Sequence, residues 1–283
     1  MTAEAAPLGR PITGPTALGT DPRRLVQLSV TLAYMEFKLR FFGSALGYVW
    51  QLMRPLMLFG VLYAVFTQFV KLGAGVDYYP AILLLGIVVF TFFADSTNAA
   101  VTSVVDRETL VRKIEFPRLV VPLSVVLTAS FNLVLNLVAV LVFVLAAGVE
   151  PRVQWLLLPL FLMAIVLFAF GLSMLLSAAY VRFRDVQPIW EVLAQVIFYG
   201  SPILYVMEKI PNADIQHLIV ILNPLATILV QMRASLIDPS APNAWDAAGG
   251  SAYLLIPLAI FGGLIVLGFV VFNREAPRIA EEL

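Results

Sequence analysis

The sequence predicts an all-α integral membrane protein with six transmembrane helices. It also predicts an N-terminal amphipathic interface helix and two short re-entrant or extracellular helices before the last span. Two observations carry this prediction. Hydrophobic residues make up 61% of the 283 residues and charged residues 13%, against about 45–50% and about 25% in soluble globular chains. Several apolar stretches are also long enough to cross a bilayer, which takes roughly 20 residues.

Six stretches meet that length, and each is bounded by charged residues, Pro or Gly. They are residues 50–70, 80–103, 120–147, 155–179, 188–206 and 253–272. Almost all Lys and Arg residues fall in segments on the side of the two termini; the exceptions are Lys71, Arg152, Lys209 and Arg233. The positive-inside rule therefore predicts a multi-pass protein of the plasma (inner) membrane with both termini in the cytoplasm.

The chain divides into four predicted segments. Residues 1–22 are predicted to be a disordered cytosolic tail, 23–48 an amphipathic interface helix, 49–272 the six-span domain and 273–283 a second cytosolic tail. In the interface helix, apolar residues recur at spacings of three and four, at Leu25, Leu28, Leu32, Met35, Leu39 and Phe42. Glu36 is placed to pair with Arg40 one turn later. The helix is expected either to anchor the chain in the interface or also to contact a partner.

Two connections stand out. Residues 106–117, between the second and third spans, mix acidic, basic and apolar residues and end in Phe116-Pro117. They suit a docking surface slightly better than a plain solvated loop. Residues 207–250, on the outer side, contain two apolar runs too short to span, 215–222 and 225–237. Irregular backbone at membrane depth is tolerated where it lines a cavity, which suggests the exit of a pathway.

Several kinds of chemistry are excluded or weak. Cys is absent and His217 is the single histidine, so thiolate chemistry and a His-based metal cluster within one chain are excluded. The phosphate-binding pattern G-x-x-x-x-G-K-[ST] is also absent, so ATP hydrolysis by that route is excluded. A net charge of zero gives no reason to expect nucleic acid. Asp95 is the clearest acid within a span, and a polar contact there is favoured over a proton relay. We therefore predict no catalytic residue, no metal site and no cofactor in this chain.

Five short stretches, in order along nearly the whole chain, resemble the membrane subunit of ABC type-2 exporters of the polysaccharide branch. That branch moves O-antigen, capsular, teichoic acid or related glycans. The stretches are Leu46–Pro55, Leu110–Arg118, Arg182–Val186, Ser201–Tyr205 and Asn223–Leu225. Each is weak alone, but their order on this topology is specific.

The resemblance implies a transport permease that works as a homodimer with two copies of a separate ATPase subunit, which binds ATP and Mg²⁺. It implies that the ATPase docks on the second–third connection. The residues concerned are Asp106, Arg107, Glu108, Leu110, Arg112, Lys113, Glu115 and Phe116. The implied cargo is a polysaccharide on a polyprenyl diphosphate, of O-antigen, teichoic acid or cell-wall galactan type, exported between the two subunits.

Two groups of side chains fit such a cargo. Lys38, Arg40 and Arg54 cluster at the cytoplasmic leaflet, where they either contact the lipid diphosphate or simply anchor the helices. Four aromatic residues of the first and fifth spans either line the channel or face lipid and core; they are Tyr63, Phe66, Phe198 and Tyr199.

Two alternatives stay open. The first is an ABC type-2 exporter of a drug, haemolysin or small lipid. The second is a membrane-embedded glycosyl or lipid-phosphate transferase, which would need clustered catalytic acids or His facing one leaflet. Asp106, Glu108 and Glu115 are the acids available for this, and they lie among basic residues.

Overall fold

The computed structural model describes residues 17–19, 21–41, 47–108 and 117–277, and all regular elements in these ranges are helical. The α-helices are α1 (Pro22–Phe41), α2 (Gly47–Ala64), α3 (Tyr79–Asp106), α4 (Val120–Ala146), α5 (Leu158–Arg182), α6 (Val186–Tyr199), α7 (Ala213–Leu222), α8 (Pro224–Leu236), α9 (Ala244–Ala247) and α10 (Leu255–Glu275). A π-helix (Val65–Phe69) extends α2, and short 3₁₀ turns occur at Val153–Leu157, Met207–Lys209 and Ser251–Leu254.

Helix α3 is the centre of the bundle. It packs against α2, α4, α5 and α6, while α1 packs mainly on α4, and α10 on α5. The half of α3 that begins at Tyr79 is almost entirely buried, with Ala81 to Val89 all in the core. Helices α2 and α10, in contrast, expose most of their apolar side chains. Such side chains suit lipid or another subunit.

The helices agree with the predicted spans in five cases. Within the described residues, five helical segments are long and apolar enough to cross a membrane, and the bent pair α7–α8 would make six if counted as one span. Helix α2, which forms the first span, begins at Gly47, three residues before the predicted start at residue 50. Pro55 lies inside this helix. Because proline lacks an N–H group, it removes one bond of the helical ladder there.

The predicted span 188–206 is helical only as far as Tyr199. The fourteen residues of α6 extend about 21 Å, less than the roughly 30 Å of a bilayer core. Gly200, Ser201 and Pro202 end the helix, since the residue before a proline is disfavoured in helical conformation. The rest of the segment folds against α3, where the Tyr79 hydroxyl donates a hydrogen bond to the Leu204 carbonyl (2.8 Å). The apolarity of residues 200–206 reflects burial in protein and not a continued helix.

Helices α7 and α8 meet at a bend of 108°, at the end of the bundle opposite the α3–α4 connection. Their bounds match the two short outer helices predicted from the sequence. Asn223 makes the bend: its side chain accepts hydrogen bonds from the backbone N–H groups of Leu225 and Ala226, and it donates one to the Ser201 hydroxyl (2.9 Å). Pro224 is the first helical residue of α8, a position where its missing N–H costs nothing.

Helix α1 packs through part of the predicted apolar stripe, since Leu25, Leu28 and Leu32 contact the core, and also through small side chains that were not predicted. Met35 and Leu39 are 55% and 70% exposed, whereas Ser29 and Ala33 are fully buried. The Thr128 hydroxyl lies 3.3 Å from the Ala33 carbonyl oxygen. Small side chains let the two helices approach closely, which a search for large apolar residues overlooks. Of the predicted apolar stripe, Leu25 is buried, and Phe42 lies outside the described residues.

Helices α5 and α10 approach closely at two glycines. A Cβ atom built on Gly268 would lie 2.2 Å from the Gly171 carbonyl oxygen, and one built on Gly171 would lie 3.0 Å from the Ile265 Cα atom. Both obstacles are backbone atoms, which cannot rotate away as a side chain can. These glycines therefore set the distance between the two helices.

We expect Gly268→Ala to lower the free energy of unfolding by about 1–3 kcal/mol, because the added methyl group forces α10 away from α5. Gly262→Ala, on the same helix, is the matched control, since a Cβ there meets nothing within 4 Å. It should be neutral or raise stability by about 0.5–1 kcal/mol through helix propensity. Thermal unfolding of both variants in detergent measures the difference. Equal changes in the stability of the two variants would contradict the close approach of α5 and α10 at Gly268.

Candidate functional site

A polar cavity of about 560 Å³ lies between α1, α2, α3 and α4. It extends from the α3–α4 connection toward the middle of the bundle. Its polar lining consists of Glu36, Arg40, Gln51, Arg54, Thr91, Asp95, Asn98, Thr102, Ser103, Asp106, Arg107, Thr128, Asn132 and Asn136. The volume is within the range of ligand sites in proteins, which measure about 300–1,000 Å³. We call this space the polar cavity.

The inner wall of the polar cavity is formed by neutral amides on α4. Asn132 and Asn136 are separated by one helical turn and lie on the same face. Each is 6% exposed, and both line the cavity. Phe92 and Leu133 form the apolar part of this wall. Polar side chains so deep in a membrane protein are costly and usually mark a functional site.

The mouth of the polar cavity carries the charge. Arg40 and Arg54 both line it and are exposed. An Arg54 guanidinium nitrogen lies 3.9 Å from an Asp95 carboxylate oxygen. Asp95 therefore makes a polar contact, as the sequence analysis predicted. Lys38 does not join them: its ammonium lies over the Tyr34 ring, 4.8 Å from the ring centre. The structure thus brings together two of the three cations predicted at the cytoplasmic leaflet.

An ion pair connects α1 to the end of α3. Arg107 donates a hydrogen bond to the Glu36 carboxylate and others to the Val121 carbonyl and the Ser124 hydroxyl. Glu36 therefore pairs with Arg107, not with Arg40 as the helical spacing suggested. The sequence does not reveal this because the two residues are 71 positions apart. Charged groups from three helices thus meet at the edge of the polar cavity.

The predicted ATPase-docking residues are only partly within the described ranges. Asp106 ends α3 and accepts a hydrogen bond from the Thr102 hydroxyl (2.6 Å), and Arg107 forms the ion pair above. Glu108 is the last described residue before the connection. The others lie outside the described residues; they are Leu110, Arg112, Lys113, Glu115 and Phe116.

The four predicted channel aromatics form two separate groups. Tyr63 stacks on Phe59 with a centroid distance of 5.6 Å. Phe198 contacts Tyr199 and Phe90 at 5.2 and 4.9 Å. Phe66 is half-buried in the π-helix that follows α2. Tyr199 is 61% exposed, so its side chain faces away from the helical bundle.

Residues 27–237 match the sequence profile of a family described as ABC-2 type transporter. This range contains the polar cavity, the α3–α4 connection and the bent pair α7–α8. The chain belongs to the ABC-2 type transporter family. It is therefore a multi-pass membrane permease of the inner membrane, and membership of the family implies an ABC ATPase subunit as its partner.

Two relatives show which ABC-2 transporters this chain is similar to. The chain is 28% identical over 262 residues to the O-antigen export system permease protein RfbA of Klebsiella pneumoniae, covering 92% of this chain and 96% of that protein. It is 30% identical over 217 residues to the O-antigen export system permease protein RfbA of Myxococcus xanthus, covering 77% and 83%. The first alignment extends over almost the full length of both proteins.

Sequence reasoning missed the neutral polar residues of this ABC-2 transporter subunit. Asp95 and Arg54 were identified because they are charged residues in apolar segments, whereas Asn132 and Asn136 are neutral and were not. A usable signal was present: two Asn residues four positions apart in an otherwise apolar span lie on one helical face. Gln51, Thr91 and Asn98 carry no comparable spacing, and only the packing of α2 against α3 brings them together.

A second polar cluster holds the α7–α8 end of this ABC-2 transporter subunit. The Arg233 guanidinium donates hydrogen bonds to Glu208 (2.7 Å) and Asp238 (3.1 Å), and Arg233 and Asp238 are both buried. Burial alone would raise the pKa of the Asp238 carboxyl. Hydrogen bonds from Ser240 and Arg233 outweigh burial and hold this pKa below its ordinary value of 3.8. The cluster fixes the loop after α8 to the segment before α7.

We expect Asp238→Asn to lower thermal stability at neutral pH and to flatten its pH dependence. Because the folded-state pKa of Asp238 is lowered, its contribution is complete above about pH 5 and is lost as pH falls through 3.8 toward the folded value. Unfolding curves of wild type and variant, measured from about pH 7 to about pH 2, should converge at the acid end.

Asp246→Asn is the matched control, because Asp246 is an exposed acid of the same segment between α8 and α10. This control should change stability by less than about 0.5 kcal/mol. A gap between wild type and Asp238→Asn that stays constant with pH would contradict the stabilising role of the Asp238 carboxylate.

Proposed function

We propose that this chain is the membrane-spanning subunit of an ATP-driven exporter of polysaccharide. Its cargo is a glycan linked to polyprenyl diphosphate, of O-antigen, teichoic acid or cell-wall galactan type, moved from the cytoplasmic to the outer side of the inner membrane. Two copies of the chain work with two copies of a separate ATPase subunit, which supplies ATP and Mg²⁺. Both termini lie in the cytoplasm, so the α3–α4 connection faces the ATPase.

The polar cavity is the observation that carries this proposal. A hydrophilic cargo needs hydrogen-bonding groups inside the membrane, and amide, hydroxyl and charged side chains line the space between α2, α3 and α4. Arg40 and Arg54 at its mouth suit the anionic diphosphate, since guanidinium groups bind phosphate oxygens in a bidentate manner. The names of the relatives point to the same class of cargo.

The main alternative is export of a drug or small lipid. An apolar cargo would leave the buried amides of Asn132 and Asn136 without partners, which is unfavourable. A membrane-embedded transferase would use acids of the α3–α4 connection, yet Asp106 and Arg107 are engaged in contacts that hold α1 and α3. The polar cavity therefore favours glycan export over both.

The exposed faces of α2 and α6 support the homodimer. Both helices flank α3 and expose apolar residues, among them Val61, Phe69, Val192 and Val196. Tyr199 and Phe69 lie on these faces, where a second copy would complete a channel lined with aromatic rings. Aromatic faces suit sugar rings, which is the role proposed for Tyr63, Phe66, Phe198 and Tyr199.

Depletion of the chain tests the proposed function. Lipid-linked glycan should accumulate on the cytoplasmic side of the membrane, and the chain should co-purify with an ABC ATPase. The first result is measured by the amount of surface glycan on cells and by the amount of glycan that a glycosidase can digest in inverted vesicles, whose cytoplasmic face is outside. Undiminished surface glycan with altered sensitivity to apolar drugs would instead favour the alternative cargo. Isolation of a monomer without ATPase would count against the assembly.

The Glu36–Arg107 ion pair offers a test of coupling. We expect Glu36→Gln and Arg107→Gln each to reduce ATP-dependent export by roughly 2- to 30-fold, the range that 0.5–2 kcal/mol of coupling gives. The double variant should be no worse than either single variant, because one interaction is lost in all three. Arg24→Gln, on an exposed part of α1, is the control. Additive losses in the double variant would show that the two residues act independently.

A further inference from the structure

The polar cavity has two chemically different parts. Its mouth carries the guanidinium groups of Arg40 and Arg54 and the carboxylate of Asp95. Its inner wall carries Asn132, Asn136 and Thr91, which are neutral. Arginine side chains at the mouth can bind an anion, and the acids Glu36, Asp95 and Asp106 line the same cavity. Amides and hydroxyls, in contrast, both donate and accept hydrogen bonds. The inner part therefore suits a neutral, polyhydroxylated guest.

Asn132 provides an independent sign of such a guest. Its side chain is buried, and its Oδ1 atom has no hydrogen-bond partner within the part of the chain that the structure describes. Buried amide groups are almost always satisfied, because an unpaired one loses the hydrogen bonds that water would give it. Because this oxygen is itself covered, a donor from outside the chain pairs with it only when the Asn132 side chain turns into the cavity that the residue lines.

The depth of the two amides is also informative. Asn132 and Asn136 lie twelve and sixteen residues after Val120 in a helix of 27 residues. At 1.5 Å per residue, they are about 18 and 24 Å from the start of α4, close to the middle of the bilayer. Asp95, on the neighbouring α3, is eleven residues or about 16 Å from the helix end at Asp106, so its depth is close to that of Asn132. Arg40 and Arg54 are exposed whereas both amides are buried, so a ligand entering from outside meets the arginines first.

We propose that Asn132 and Asn136 form a sugar-binding site within each subunit, which holds the sugar unit adjacent to the diphosphate while Arg40 and Arg54 hold the diphosphate. This inference rests on the proposed function and adds to it a specificity-determining subsite. Hydroxyl groups of the sugar donate to the Asn132 Oδ1 atom and accept from the amide nitrogens, and Phe92 supplies an apolar wall.

A site built in this way discriminates strongly. A buried polar group that is paired by the right ligand rejects an analogue lacking the matching hydroxyl, because the group is then left unpaired. The arginine mouth alone would not discriminate, since every polyprenyl diphosphate presents the same anion. The amides therefore separate sugar-bearing lipid from sugar-free lipid carrier, which is an abundant competitor in any membrane that makes such cargo.

The absence of Cys from the chain makes a direct test possible. Ala129→Cys places one thiol in the wall of the polar cavity, one turn before Asn132 and Leu133. The full chain carrying this substitution is reconstituted in lipid nanodiscs and treated with a water-soluble thiol reagent. The rate of modification is measured with three probes: a short-chain prenyl diphosphate without sugar, one bearing a hexose and one bearing an N-acetylhexosamine.

At equal concentration, at least one sugar-bearing probe should slow modification of Cys at position 129 about tenfold more than the sugar-free probe, the effect of one good hydrogen bond. Asn132→Leu and Asn136→Leu should each remove this difference. Protection by the sugar-free probe should stay unchanged in both variants, which also shows that the mouth is still folded. Ser130→Ala, which removes a hydroxyl bonded within α4, is the control and should leave the difference intact.

Four results would overturn the sugar-binding site, the last of them together with the diphosphate cargo. The first is equal protection by all three probes, which refutes the amide subsite while the diphosphate contact of the proposed function survives. The second is a difference between probes that persists in both leucine variants. The third is a thiol that the reagent never reaches, since the cavity would then be closed to water. Protection by none of the probes would refute the diphosphate cargo as well.

Discussion

Helix α3 lies at the centre of the bundle and has two chemically different halves, one apolar and one polar. The half that begins at Tyr79 is apolar and surrounded by α4, α5 and the segment after α6, so it forms the main core. The half that ends at Asp106 carries Thr91, Asp95, Asn98 and Thr102 toward α2 and α4. Every backbone polar group inside a membrane must be satisfied locally, so irregular segments can exist only where α3 and its neighbours bury them.

The short α6 helix illustrates this dependence. Because α6 ends at Tyr199, the following backbone needs partners at membrane depth, and it finds them in α3 and α8. The Tyr79 hydroxyl binds the Leu204 carbonyl, and Asn223 binds the Ser201 hydroxyl. The bend between α7 and α8 and the early end of α6 share one residue: the same Asn223 that caps α8 also binds the loop after α6.

The polar half of α3 has the opposite consequence. Helix α2 packs less extensively on α3 than α4 does, and the polar cavity lies between α2, α3 and α4. Helix α1 closes one edge of this space through Glu36, which Arg107 holds at the point where α3 meets the α3–α4 connection. The Glu36–Arg107 ion pair and the contacts of Thr128 with Ala33 and Glu36 thus join α1 to the edge of the polar cavity.

The sequence by itself determined the class of protein, five of the six spans and the two short helices of the opposite end, because long apolar runs, prolines and Asn caps are local signals. The ordered motifs also predicted the transporter family that the comparisons show. Only the tertiary structure decided which residues face one another. The end of α6 depended on burial of residues 200–206 in protein, which composition cannot distinguish from lipid contact. The pairing of Glu36 with Arg107 and the assembly of Asn132 with Arg54 join residues far apart in the chain, and helical periodicity carries no information about such distances.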